Sequence, residues 1–260
     1  MDQSGDEHEN HPHATETSLR QLTPLLVWAV VFCDIGTSVY YVPGILYGSI
    51  EKRFGSGNAA PVFVGASMSG FLLLASKYVE ICWRKPDGGG VVSIASQAFR
   101  PLVGCIGGLL ISVDYFLTSA ISSVSGIHYL GSVFQFFDSH IVDFAVATLL
   151  LLAIVNTIGI RESAALSLVM AVFALGVDVA VITSIAVKAG PDQWKAILDG
   201  LSLARHIDAS TFVIGFSGAW LAFSGLESIS QLSPAMKFPI RDTAKKGMRY
   251  VVITMVATAP

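Results

Sequence analysis

Six stretches of this chain, at roughly 24–48, 60–82, 101–136, 142–160, 163–188 and 211–236, are almost free of charge. Each is about as long as the 20 or so apolar residues that a bilayer crossing takes. In hydrocarbon every backbone amide and carbonyl must find its partner within the protein, so six such runs imply an all-α integral membrane bundle. Composition agrees, since only 13% of residues are charged, about half the share that a soluble domain uses to solvate its surface. A seventh apolar run, 246–260, ends at Pro260, and a partial seventh span within a larger domain is expected. The transmembrane domain therefore reads as 24–260, preceded by a tail at 1–23 that is polar, acidic and aperiodic. Disorder is expected in that tail. It lacks the basic start and apolar core of a secretory signal. Its His8, His11 and His13 form a weak metal-binding tract at most.

Charge placement sets the expected orientation. With the N-terminus in the cytoplasm, the inner segments carry Arg20, Lys77, Arg84, Lys85, Arg100, Arg161, Lys237, Arg241, Lys245, Lys246 and Arg249. The outer loops carry Lys52, Arg53, Lys188, Lys195 and Arg205. Eleven against five favours the N-terminus inside, in a multi-pass protein of the plasma membrane. The net charge of −3 offers no basic field for nucleic acid. Cys33, Cys82 and Cys105 are odd in number and lie in or beside apolar runs, so they read as small buried hydrophobes rather than a disulfide or metal framework.

Polar groups inside the spans carry the functional signal, because an isolated carboxylate in hydrocarbon must be paired, protonated or bound to a cation. Asp34 stands ten residues after Pro24, about 15 Å into the first span at the helical rise. Gly36, Thr37, Ser38, Tyr40, Tyr41 and Pro43 follow it, and both the glycine and the proline weaken a helix. Asp114, Thr118 and Ser122 recur at i, i+4 and i+8 in the third span, so one helix face offers three oxygen-bearing side chains. In the sixth span Ser224 and Glu227 follow Gly218 and flank Gly225, and a helix break is expected there too. Simple packing is the competing account: a proline kink at Asp34, and small polar residues as interhelical glue at Asp114. Asp178 in the fifth span lacks such company and reads as a structural or cavity-facing acid. The Pro86–Gly90 run, PDGGG, has neither the strand before it nor the Lys-Ser/Thr after it that a phosphate loop needs, and reads as a turn.

Breaks in the first and sixth spans, around Gly36–Ser38 and Phe223–Glu227, are what an inverted five-plus-five repeat predicts. Only the first repeat and the beginning of the second fall within this chain.

These residues resemble the amino acid–polyamine–organocation (APC) superfamily of transporters. The resemblance rests on Tyr78-x-Glu80-x3-Arg84-x-Pro86-x-Gly88-Gly89, Ala98-Phe99-Arg100-Pro101-x2-Gly104, Asn156-x2-Gly159 and Leu226-Glu227. It extends over about 24–260 and implies a LeuT-like fold. Within that superfamily Asp34-Ile35-Gly36-Thr37-Ser38 is similar to the first-helix signature of the KUP potassium-uptake permeases. The segment after Ser38, Val-Tyr-Tyr-Val-Pro-Gly, is closer to general permeases. The KUP resemblance implies a potassium site made by Asp34, Tyr41, Asp114, Thr118, Ser122, Ser224 and Glu227, with a proton carried by Glu227 or Asp34.

Two functions follow as expectations. The first is proton-coupled potassium uptake by alternating access, needing no cofactor beyond the transported ions. The second is amino-acid permeation, with Gly36, Thr37 and Ser38 amides holding a carboxylate and Asp34 or Glu227 an ammonium. Three acids without a fixed base favour the cation. No nucleophile–base pair suggests an enzyme. The expected partners are the lipid bilayer and a small cation or amino-acid substrate, with a homodimer left open.

Overall fold

A computed structural model of the chain describes residues 21–54, 57–203 and 207–258. Most of the expected tail, including its histidines, and Arg205 lie outside the described residues. The described part is helical throughout, and its only β-pairing is a single bridge between Leu22 and Met236. The first span is α1 (Pro24–Phe54) and the second is α2 (Ala60–Arg84). A short helix α3 (Gly90–Ala98) leads into the third span, α4 (Pro101–Gly131). One turn of helix, α5 (Gln135–Asp138), precedes the fourth span α6 (Ile141–Ile158) and the fifth α7 (Ile160–Lys188). Helix α8 (Pro191–Leu203) connects to the sixth span, which is divided into α9 (Ala209–Trp220) and α10 (Ser228–Gln231). The chain continues into α11 (Ile240–Thr258). Six of these segments are long and apolar enough to cross a membrane, so the chain is a multi-pass membrane protein.

Local sequence explains the boundaries. Thr23 accepts the Leu26 amide on its hydroxyl at 3.4 Å and the Val27 amide on its carbonyl at 2.9 Å, and Pro24 supplies a first helical residue that needs no donor. Arg100 is extended, as the residue before Pro101 must be. The PDGGG run is a turn with Gly88 and Gly89 at φ +93° and +68°. Gly159 alone links α6 to α7, and Ser163 donates to Asn156 Oδ1 across that corner at 2.5 Å. Asp208 precedes α9, and the Ser210 and Thr211 hydroxyls hold its carboxyl down at about 2, which keeps a negative charge at the positive end of the helix.

The core gathers α1, α2, the sixth span and α11. Val31, Phe32 and Ile35 pack with Phe71, Phe223, Ile229, Met248 and Val251, while Leu46 and Ile50 meet Phe63 and Ala219 in a second cluster. Helix α11 buries Ala244, Gly247, Met248, Val251 and Met255, the spacing of one helical stripe. Helices α4, α6 and α7 lie at the periphery and expose apolar faces. The start of α1 is tied to the end of the sixth span: Leu22 N–H donates to Ala235 O at 2.8 Å, and Lys237 N–H donates to Leu22 O at 3.0 Å. Those two segments therefore share one face of the bundle, as the alternation of spans requires.

Two expectations are corrected. Helix α1 runs unbroken through Gly36–Ser38 and Pro43. One proline removes one helical bond, Thr37 bonds back to the Asp34 carbonyl at 2.9 Å without interrupting the helix, and the packing of Val31, Ile35 and Val42 into the core holds it. Cys105 is exposed, whereas Cys82 is buried and Cys33 partly so; α4 lies at the edge of the described bundle and leaves most of its side chains uncovered. The connection after the fifth span contains α8, which the Pro-Asp start and apolar positions of 191–203 encode. The sixth-span break is borne out.

Gly247 marks the closest approach of α11 to α1. A Cβ there would lie 2.8 Å from Val27 Cγ1. Gly247→Ala should cost about 1–3 kcal/mol through overpacking, whereas Gly107→Ala, facing open space, should be neutral or slightly stabilising. Melting of the purified protein in detergent, read by size exclusion after heating, checks the contrast.

Candidate functional site

The sixth span leaves the α-helix after Trp220, inside the bundle. Leu221–Phe223 tighten into a 3₁₀ turn, and Ser224 follows at φ −57°, ψ 137°. Gly225 then takes φ +102°, a conformation that only glycine adopts without strain. Leu226 N–H closes the turn onto Phe223 O at 3.4 Å, and Ser228 N–H reaches Gly225 O at 3.1 Å. Helix α10 resumes at Ser228. Glu227 ends the turn, its carbonyl taking the Ser230 amide at 2.9 Å and its side chain lining the cavity beside the break.

The break sits directly against Asp34. A Cβ on Gly225 would lie 2.7 Å from Asp34 Cγ and 2.8 and 3.0 Å from its carboxylate oxygens. Glycine at 225 is thus required twice, by backbone conformation and by the approach of α1. On the other side Ser224 donates to Asp114 Oδ2 at 2.8 Å, which fixes α4 to the same turn. Next to Asp114, the Tyr115 hydroxyl accepts from Gln231 Nε2 at 3.0 Å. The Ser228 hydroxyl interacts with Asp34. Three acids from three spans therefore surround one turn of four residues.

The oxygen-bearing residues divide among three adjoining cavities. Asp114, Ser224 and Glu227 line the first with Tyr78, in about 460 Å³. Asp34, Thr37, Thr118 and Ser122 line the second with Tyr115 and Ser228, in about 480 Å³. Thr37, Tyr41 and Ser122 line the third with Tyr40 and Tyr129. No lysine or arginine lines any of them. Among the described residues no three acids, cysteines or histidines stand close enough to hold one metal ion together. The donors thus form a chain of oxygens around the break rather than a single shell.

Individual residues differ in what they have free. Tyr41 is buried and its hydroxyl shares a hydrogen bond with Ser38 at 3.1 Å. The Ser122 hydroxyl is buried with no hydrogen-bond partner among the described residues, and it stands between the second and third cavities. Gly36 is buried, lines none of the three, and faces open space within 4 Å of its would-be Cβ. Asp178 accepts from the Tyr40 hydroxyl at 2.8 Å, and Tyr129 donates to the Tyr40 carbonyl at 3.2 Å, close to where Pro43 disturbs the helix. That phenol satisfies the structural reading of Asp178. Gly225 stands at the expected break, whereas Tyr115, Ser228 and Gln231 are site residues that the sequence reading does not single out. A signal existed for these three, since Tyr115 and Ser228 adjoin acids and Gln231 lies one helical turn beyond Glu227.

The chain belongs to the amino acid permease family, whose family model matches residues 22–259, in agreement with the resemblance to the APC superfamily. It is 29% identical over 183 residues to the potassium transporter KimA of Bacillus subtilis (strain 168). That alignment covers 69% of this chain and 30% of the relative, so the match spans under a third of the relative's length. No solved structure matches the chain.

Gly225→Ala should destabilise the purified protein by more than its backbone strain alone, which is about 1–3 kcal/mol. In an Asp34→Ala background only that backbone part should remain. Equal costs in both backgrounds would show that Asp34 does not press on the turn; a double-mutant cycle of detergent melting reads the difference.

Proposed function

We propose that this protein imports potassium across the plasma membrane in symport with protons, with its N-terminus in the cytoplasm. The observation that supports the reading best is the convergence of Asp34, Asp114 and Glu227 on the Ser224–Glu227 break without any lysine or arginine in the surrounding cavities. Carboxylate, hydroxyl and phenol oxygens are the groups that replace the water shell of a hard monovalent cation. Uncompensated acids at membrane depth mark ion and proton pathways. The unpartnered Ser122 hydroxyl adds a donor that a bound cation or its water can satisfy, at a point where leaving it unsatisfied costs about 1–3 kcal/mol. The similarity to a potassium transporter lends the substrate further support.

In this reading the cation occupies the oxygens on either side of Gly225, and Glu227 carries the proton. Its side chain ends the break and lines the same cavity as Asp114 and Ser224, so gaining or losing a proton changes the charge that faces both the cation and the break. Asp34 is the alternative carrier. Alternating access then links ion occupancy to protonation as a coupling between two neighbouring sites.

The second reading, amino-acid permeation, draws on the family description. It needs free backbone donors at Gly36–Ser38 for a substrate carboxylate. Those residues lie within the continuous α1, where helical bonding occupies the amides, so the cation reading is favoured.

Asp34→Asn and Asp114→Asn keep shape and remove charge. Each should lower potassium uptake at limiting concentration by about tenfold or more, as loss of a charged ligand in a poorly hydrated site costs on the order of a few kcal/mol. Growth and rubidium-flux assays in a potassium-uptake-deficient host, with amino-acid uptake measured in parallel, read this out. Wild-type potassium uptake in both variants, or amino-acid uptake in place of potassium, would overturn the reading. For the proton, Glu227→Gln should retain potassium exchange at equilibrium while losing its response to a pH gradient.

A further inference from the structure

A second built feature lies away from the site, between α2 and α11. A groove of about 610 Å³ runs along these helices. They are antiparallel in the bundle, since Arg241 near the start of α11 stacks on Trp83 near the end of α2, its guanidinium carbon 5.6 Å from the ring centroid. Arg84 stacks on the same ring at 5.3 Å. At this end the groove carries Arg241, Lys245 and Arg249, spaced four residues apart and so on one helix face. Glu80 also lines the groove, but Arg84 at 2.7 Å and Lys77 at 3.6 Å hold its charge. Arg241, Lys245 and Arg249 are exposed and have no carboxylate partner among the described residues. Toward the middle of the bundle the lining turns apolar, with Leu72, Ala75, Val79, Met248 and Val252.

We propose that this α2–α11 groove is a binding site for one anionic phospholipid, its headgroup phosphate on Arg241, Lys245 and Arg249 and an acyl chain along the apolar part. The polarity gradient carries the assignment. A cation ladder answers a phosphate, Trp83 is the side chain suited to the membrane–water boundary, and apart from Ser76 and the ion-paired Glu80 the remaining lining is apolar. Basic pockets between membrane helices take acidic headgroups in this way. A free soluble anion would use the ladder and leave the apolar part of the groove, Leu72, Ala75, Val79, Met248 and Val252, unexplained.

The test uses the purified protein in nanodiscs of phosphatidylcholine with increasing phosphatidylglycerol, and a photo-crosslinkable phosphatidylglycerol with mass-spectrometric mapping. Thermal stability should rise with phosphatidylglycerol, and crosslinks should map to α2 and α11. Apparent affinity should fall roughly fivefold for each basic residue removed in Arg241→Gln, Lys245→Gln and Arg249→Gln, and stay unchanged in Lys188→Gln, which lies outside the groove. Inorganic phosphate alone should give no comparable shift. The proposal is overturned if phosphatidylcholine labels the groove as well as phosphatidylglycerol does, if inorganic phosphate reproduces the stabilisation, or if the three variants keep the anionic preference. Crosslink mapping on the wild type decides the matter even where a variant fails to fold.

Discussion

A backbone that leaves the helix inside a membrane must have its freed amides and carbonyls answered by the protein. Here that demand falls on the turn from Ser224 to Glu227, and much of the arrangement around it follows. Leu226 and Ser228 amides close the turn onto Phe223 and Gly225 carbonyls, Ser224 binds Asp114, and Gly225 lets Asp34 approach closer than any side chain would allow. The acids that stabilise the break are the same acids that give the cavities their polarity. Structure and site are therefore one construction. A loss of the turn would scatter the three carboxylates, and a loss of Asp114 would leave the Ser224 hydroxyl unmet.

The spans were legible in the sequence because bilayer length and the scarcity of charge are blunt constraints that tolerate few alternatives. The break in the sixth span was legible for the same kind of reason: two glycines and a serine ahead of a buried acid cannot easily be read as continuous helix. The first span shows the limit. Gly36 and Pro43 lower helical stability, but neither forbids a helix whose neighbours pack against Val31, Ile35 and Val42. Thr37 bonding back to the Asp34 carbonyl was not visible in composition. Whether weak propensity becomes a break is decided by packing, and packing was not on the page.

The site was legible at the level of which residues, and less so at the level of which neighbours. Asp34, Asp114, Ser224 and Glu227 do come together around one turn, but they open into adjoining cavities. Pairwise partners such as Tyr115 with Gln231, or Tyr40 with Asp178, depend on helix rotation that periodicity alone does not settle. Ser122 shows the converse case, where a position chosen for its spacing along α4 proves to hold the buried hydroxyl that nothing in the described protein satisfies.

The pairing of Leu22 with Ala235 and Lys237 has a mechanical meaning. It joins the foot of a stiff rod, α1, to the foot of a jointed one, the sixth span. With their feet paired, the two resist sliding past each other at that face, and a tilt of α1 against the sixth span has the clamp as its pivot. The lever arm of that pivot runs from the clamp to the carboxylate of Asp34, so a small tilt of the rod is delivered as a displacement at the place where the charges meet.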